Sequence, residues 1–243
     1  MSKHFETTRR DGVLRLDRSD TRWLSTGWNG GFCRAGAAYN CTVPVGWNPD
    51  EIRADVHRRL DSAGFDRGDG PVLLTGVDQR HARGARLGPV TVFGTVGLSN
   101  PATLPVDPAQ QPADTRAATG AETGGPPGPG TVNLFVGTTR SLTEAGMANL
   151  VAIVAEARTA TLLELAGFTG TTSDAIVVAC DPGGESSQYT GSATPVGRAA
   201  RACVREALTA SYRSRYSGRK PPESVADAEH GELTTCRATV FEP

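Results

Sequence analysis

Aromatic residues are scarce in this 243-residue chain, at 6%, and neither sign of charge dominates. Lys plus Arg is 25 and Asp plus Glu is 26, a net charge of -1. Such a surface has no single-sign field to gather nucleic acid or an anionic membrane. Its densest basic run, Arg213, Arg215, Arg219 and Lys220, falls at an expected helix end, where the dipole favours cations. The cysteines, Cys33, Cys41, Cys180, Cys203 and Cys236, are odd in number and contain no CxxC pair. That spacing suggests neither a disulfide framework nor a zinc knuckle, and fits a reducing cytosol. Met1 to Asp20 has no apolar signal core, and no apolar run approaches the roughly 20 residues of a membrane helix. His4, His57, His81 and His230 are too scattered for a local multi-histidine metal site. There is no GxxxxGK[ST], no GxGxxG after a strand and no HExxH, and Gly97-Leu98-Ser99-Asn100-Pro101 misses the last Gly of a nucleophile elbow. The expectation is a cytoplasmic protein with a small-molecule partner, no nucleic acid and no membrane, and homo-oligomerisation left open.

Glycine and proline, by contrast, are plentiful. The 29 Gly and 16 Pro make 45 of 243 residues, about 19% against roughly 12% on average. Twelve of them fall between Pro101 and Gly130, which has no aromatic residue. That composition predicts a flexible insert over 101–130 inside a single domain spanning 1–243, with a further C-terminal loop over 219–235. Three helices are expected. The first follows Asn48 as N-cap with Pro49 at the first helical position, buries Ile52, Val56 and Leu60, and stops at Gly64. The second opens on the capping box Ser141-Leu142-Thr143-Glu144 and runs to about Ala166. The third starts at Thr194-Pro195 and ends near Gly218. Short β-branched runs predict strands at Val13–Leu16, Cys41–Val45, Val72–Thr75, Val90–Val96, Val132–Val136, Ala175–Cys180 and Arg237–Phe241. Strands mixed with a few long helices, without clean βαβ alternation, indicate an α/β or α+β domain with a mixed sheet covered by helices.

The remaining glycines punctuate strand ends rich in hydroxyl and amide groups. Ser25-Thr26-Gly27-Trp28-Asn29-Gly30-Gly31-Phe32 is the densest; its amides suit an anion or carbonyl and its aromatics a flat ligand, although a tight turn with Trp28 in the core reads equally well. In Leu74-Thr75-Gly76-Val77-Asp78-Gln79-Arg80-His81, Asp78 is placed like a catalytic carboxylate with His81 near enough to share a proton, or else caps a local amide. Thr95 to Asn100 and Gly170 to Asp174 repeat the pattern. Amide hydrolysis needs an attacking oxygen or sulfur, a base and donors for the oxyanion, and these turns hold all three types.

Eight of these stretches, in order, resemble the adenosylcobinamide amidohydrolase family of cobamide salvage. They are Ser25 to Phe32, Ala38-Tyr39-Asn40, Leu74 to Asp78, Thr95 to Asn100, Gly130-Thr131-Val132-Asn133, Ala155 to Ala160, Gly170 to Asp174, and Tyr189 to Gly197. The resemblance implies hydrolysis of the amide joining the aminopropanol arm to the corrinoid ring, giving adenosylcobyric acid and 1-amino-2-propanol. It makes the corrinoid a substrate, names no certain cofactor and leaves a divalent metal open. In that light Asp78 and Glu156 are the carboxylate bases to weigh, unless Glu156 and Arg158 are surface charges. Ser25, Thr26, Ser99 and Thr172 are nucleophile candidates, alongside water activated by a carboxylate. Trp28, Phe32, Tyr39 and Tyr189, with Asn29, Gly30, Gly31, Asn40, Asn100 and Asn133, are the residues expected to hold the corrinoid.

Two departures keep other readings open. Many family members carry threonine and histidine where this chain has Ser192 and Ala193, which motivates a corrinoid-binding protein that stores cobinamide without cleaving it. The Pro/Gly insert, longer than in typical members, stands just before Thr131, which motivates a hydrolase that cuts itself ahead of an internal threonine.

Overall fold

Alternating and continuous apolar runs become the strands of one mixed sheet. The computed structural model describes residues 5–107, 130–228 and 230–243. His4 and most of the insert expected to be flexible, residues 108–129, lie outside the described residues. In chain order the elements are β1 (Glu6–Arg10), β2 (Val13–Ser25), β3 (Gly31–Thr42), α1 (Ile52–Ser62), β4 (Val72–Thr75), a 3-10 turn (Gln79–His81), β5 (Arg83–Leu87) and β6 (Val90–Val96). There follow β7 (Pro101–Thr103), β8 (Val132–Thr138), α2 (Glu144–Ala166), β9 (Gly170–Thr171), β10 (Ala175–Cys180), α3 (Pro195–Arg215) and β11 (Glu232–Leu233).

The main sheet runs β4-β3-β2-β10-β8-β6-β5, with β1 on β2; β11-β7-β9 form a small second sheet. β8 and β10 are parallel, and β8 lies antiparallel to β6. Successive side chains of a strand point to opposite faces. Val132, Leu134 and Val136 with Ile176, Val178 and Cys180 therefore join the cluster under α2 and α3, while Phe135, Val177 and Ala179 meet Trp23, Leu14 and Leu16 in a second cluster. α1 closes a third cluster over β2, β3 and β4. The long β2–β3 hairpin is irregular between Asp17 and Thr21. Such an irregularity adds bend and twist, and β4 comes back within hydrogen-bonding reach of β8, where the Asn133 side chain donates to the Leu74 carbonyl at 3.0 Å. The result is one α+β domain.

Val72–Thr75, Val90–Val96 and Ala175–Cys180 are strands with the expected bounds. Other elements differ. α1 begins at Ile52 rather than Pro49, because residues 47–49 line a cleft instead of winding into the helix. The cap of α2 is Thr143, whose hydroxyl accepts from the Gly146 amide at 3.0 Å; Ser141 instead bridges to Ser186. Thr194 caps α3 as expected. Arg237–Phe241 is not a strand: Val240 and Phe241 are exposed, and the pairing falls to Glu232–Leu233. α2 is long and apolar enough by composition to cross a membrane, despite Glu156 and Arg158 within it, but Leu150, Val154 and Leu162 are core residues.

The Gly30 turn between β2 and β3 leaves no room for a side chain. A Cβ there would stand 2.4 Å from the Ser25 carbonyl oxygen and 2.8 Å from that of Gly27. Gly30→Ala is expected to cost about 1–3 kcal/mol in urea unfolding, as overpacking does; an unchanged midpoint would show that the turn relaxes.

Candidate active site

A cleft of about 430 Å³ opens where β2 and β4 end and β8 and β10 begin. One wall is apolar: Trp28, Val43, Trp47, Ile52 and Leu73. The polar lining of the cleft is Thr26, Thr75, Thr131, Ser173 and Asp174. Four separate stretches singled out in the sequence thus meet in one place. Among the described lining residues Asp174 is the only titratable side chain, and no group of three or more His, Cys, Asp or Glu is gathered as metal ligands would be.

The apolar wall is fixed from behind. Trp47 donates its indole N–H to Asp55 at 2.8 Å, and Asp55 also receives Arg58 and Arg59, each at 2.7 Å. Burial alone would raise the Asp55 pKa; the bonds from Arg59, Trp47 and Arg58 outweigh it and hold the carboxyl below its usual range. A folded pKa below the unfolded one stabilises fully above the unfolded value, about 4, and is lost as pH falls through the folded value. Tryptophan emission is therefore expected to shift in acid below about pH 4. Asp55→Asn should remove that step; a titration identical to wild type would refute this anchoring of Trp47.

Beneath the polar wall runs a chain of buried amides and hydroxyls. Asn133 donates to Asn40 Oδ1 at 2.8 Å, and Asn40 donates towards Gln79 and Thr95 at 3.3 and 3.4 Å. Thr131, 3% exposed, donates its hydroxyl to the Ser173 carbonyl at 2.8 Å, with Asn133 Oδ1 at 3.3 Å. Ser173 in turn donates to the Gly130 carbonyl at 3.1 Å and accepts from Asn100 Nδ2 at 3.1 Å. Asn100 Nδ2 also reaches Thr172 Oγ1 at 2.7 Å. Both Asp174 oxygens are engaged: Oδ1 by the Val132 amide at 2.9 Å and the Thr171 hydroxyl, Oδ2 by the Thr171 amide and Arg158 Nη1, each at 3.0 Å. Most buried polar groups here are paired, as burial requires; Asn100 Oδ1 and Arg158 Nε are buried without a partner among the described residues.

The family model for adenosylcobinamide amidohydrolase matches residues 1–220. The chain belongs to the adenosylcobinamide amidohydrolase family. It is 57% identical to an adenosylcobinamide amidohydrolase of Halobacterium salinarum, over 98% of this chain and 100% of that one. It is 27% identical to another of Methanosarcina mazei, over 74% and 84%. A crystal structure of the PH0078 protein from Pyrococcus horikoshii OT3 shares 10% identity over 85% of this chain and 78% of that one, at a TM-score of 0.40.

As an adenosylcobinamide amidohydrolase family member the chain is an enzyme acting on amide bonds, and its marked residues divide by place. Thr26 and Trp28 line the cleft; Asn40, Asn100 and Asn133 are buried, while Thr172 is exposed and accepts from Asn100. Ser25 is buried, its Oγ accepting from the Gly27 amide at 3.1 Å, and Thr26 Oγ1 accepts from the Ile176 amide at 3.0 Å. The Ser99 hydroxyl is buried without a partner among the described residues. Gly30 and Gly31 turn β2 into β3, Asn29 takes a positive φ of 51°, and Phe32 is exposed at the start of β3. Tyr39 is buried under Phe65 and donates to the Asp66 carbonyl at 3.1 Å, on the α1 side. Asp78 lies outside the cleft lining: it caps the 3-10 turn, accepting from the Arg80 amide at 2.8 Å, and pairs with the Arg80 guanidinium. His81 is turned to Ser214 Oγ at 3.0 Å, not to Asp78, and burial, then Arg215, lowers its pKa. Glu156 is exposed, pairs with Arg201 and lies outside the cleft lining. Tyr189 and Ala193 are exposed in the turn before α3 and line no part of the cleft.

Of three further residues of the site, one lies outside the marked stretches and two lie within them without being named as bases, nucleophiles or corrinoid contacts. Trp47 sits in a stretch that reads as helix entry. Thr131 stands in the stretch Gly130-Thr131-Val132-Asn133 and just after the insert, but is not among the nucleophile candidates weighed for the amide. Asp174 closes a row of polar residues, and its partner Arg158 lies on α2; only the fold brings them to 3.0 Å.

Proposed function

We propose that the chain hydrolyses the amide between the aminopropanol arm and the corrinoid ring of adenosylcobinamide, giving adenosylcobyric acid and 1-amino-2-propanol, in cytoplasmic salvage of incomplete corrinoids. The observation that carries this is the cleft itself. It combines two tryptophans and other apolar side chains with several hydroxyls, at strand ends where four of the family's stretches meet. The flat, partly apolar ring edge rests on Trp28 and Trp47, and the arm enters towards Thr131 and Ser173. The Thr131 hydroxyl attacks the amide carbonyl, and hydroxyl and backbone N–H groups at the strand ends receive the oxyanion. Asp174 acts as the anchor that joins β8, β9 and α2 beneath these groups. The relatives' shared name supports the substrate. Storage without cleavage loses its motive, since Ala193 is outside the cleft.

Incubating the protein with adenosylcobinamide in the dark and anaerobically, with and without divalent metal, should release both products, read by mass spectrometry. An unchanged corrinoid under all conditions would refute the reading.

A further inference from the structure

The cleft has hydroxyls but no evident base. Its one titratable side chain among the described residues, Asp174, already has both oxygens engaged by Val132, Thr171 and Arg158. A threonine hydroxyl is a weak nucleophile until a base takes its proton. A free α-amino group on the same threonine would serve, because its ordinary pKa, about 7.7–8.0, leaves much of it neutral near pH 8. Thr131 has no such amine while it is joined to Gly130.

The peptide at Gly130–Thr131 is arranged for its own cleavage. Gly130 is buried, and a Cβ on it would stand 2.1 Å from Ser99 Oγ and 2.5 Å from the Ser99 amide nitrogen, so the residue before Thr131 must be glycine. Its carbonyl oxygen accepts from Ser173 Oγ at 3.1 Å, and Asn100 Nδ2 donates to that hydroxyl at 3.1 Å. Hydrogen bonding of this kind polarises the carbonyl and stabilises negative charge developing on its oxygen. The Ser99 hydroxyl, buried and unpaired among the described residues, lies against the same glycine as a further donor. The Thr131 hydroxyl is held at Ser173 O, at the first residue ahead of β8.

We infer that the chain cuts itself between Gly130 and Thr131, making Thr131 the N-terminal nucleophile of the amidohydrolase. This deepens the proposed reaction and rests on Thr131 being the attacking group there. The Thr131 hydroxyl oxygen attacks the Gly130 carbonyl carbon. The C–N bond breaks, and the hydroxyl proton passes to the departing Thr131 nitrogen. The resulting ester is hydrolysed by water, giving a Gly130 carboxyl group and restoring the hydroxyl. The halves stay together after the cut, because β8 of the second fragment is held between β6 of the first and β10 of its own.

Intact-mass measurement and N-terminal sequencing of the purified full chain test this. The expected result is two fragments of roughly half the 25.4 kDa chain, the second beginning at Thr131. Thr131→Ala stays whole and Thr131→Ser still cuts. A wild-type chain that remains whole after prolonged incubation, active or not, overturns the inference, as does a Thr131→Ala chain cut at the same bond. The outcome is separable from the substrate reading. Turnover by an uncut chain removes self-cleavage and keeps the reaction; a cut chain that leaves adenosylcobinamide unchanged keeps self-cleavage and removes the reaction.

Discussion

Thr131→Ala is expected to lower turnover of adenosylcobinamide by roughly 10⁴-fold or more, the scale seen when a nucleophile is deleted and only binding and oxyanion donors remain. Thr131 lines the cleft and is 3% exposed, and its hydroxyl stands between Ser173 O and Asn133 Oδ1. Of the other candidates, Ser25 and Thr26 are committed to backbone amides and Thr172 to Asn100, while the buried Ser99 hydroxyl lies outside the cleft lining. The alanine also strands two buried acceptors, at about 1–3 kcal/mol, so stability must be read beside rate. Thr131→Ser keeps the hydrogen bonds and should recover turnover to within about tenfold, a loss of about 1.4 kcal/mol at most. Steady-state kinetics on folded variants decides; a Thr131→Ala enzyme within tenfold of wild type would dismiss the nucleophile.

Asp174→Ala carries the largest expected stability effect, about 3–5 kcal/mol in urea unfolding, because breaking a buried ion pair leaves its partner's charge uncompensated. The Asp174 and Arg158 side chains are 5% and 18% exposed, so solvent screens the pair little. The same change removes the acceptor for the Val132 and Thr171 amides, and with it the tie between β8 and β9. Arg158 Nε is already buried without a partner among the described residues, so the guanidinium has no ready substitute. A loss below about 1 kcal/mol, the range of exposed pairs, would show that water reaches the site.

What could be read ahead of the fold follows the range of the forces involved. Val72–Thr75, Val90–Val96 and Ala175–Cys180 are short apolar runs between turn residues, and local composition suffices to mark them. Composition predicts a strand only from Cys41, because Gly30-Gly31-Phe32 reads as turn; pairing with β2 makes Gly31 and Phe32 the start of β3. Asn48-Pro49 carries sound helix-entry chemistry, but residues 47–49 are spent on the cleft wall and α1 starts later. The polar turns were legible as a site because glycine, hydroxyl and amide recur at strand ends. Which turns converge was not, since Asn40 with Asn133, Gly130 with Ser173, and Arg158 with Asp174 are partners only through the sheet and α2. Asp78 shows the converse: a carboxylate after a strand and a glycine looks catalytic, yet local geometry satisfies it with Arg80 alone.

Hydrolysis of adenosylcobinamide in ¹⁸O-labelled water tests the central claim most directly. Attack at the acyl carbon predicts one ¹⁸O in the carboxylate of the released adenosylcobyric acid and none in 1-amino-2-propanol. A corrinoid primary amide released with labelled propane-1,2-diol, or a corrinoid recovered with its arm intact, would contradict it.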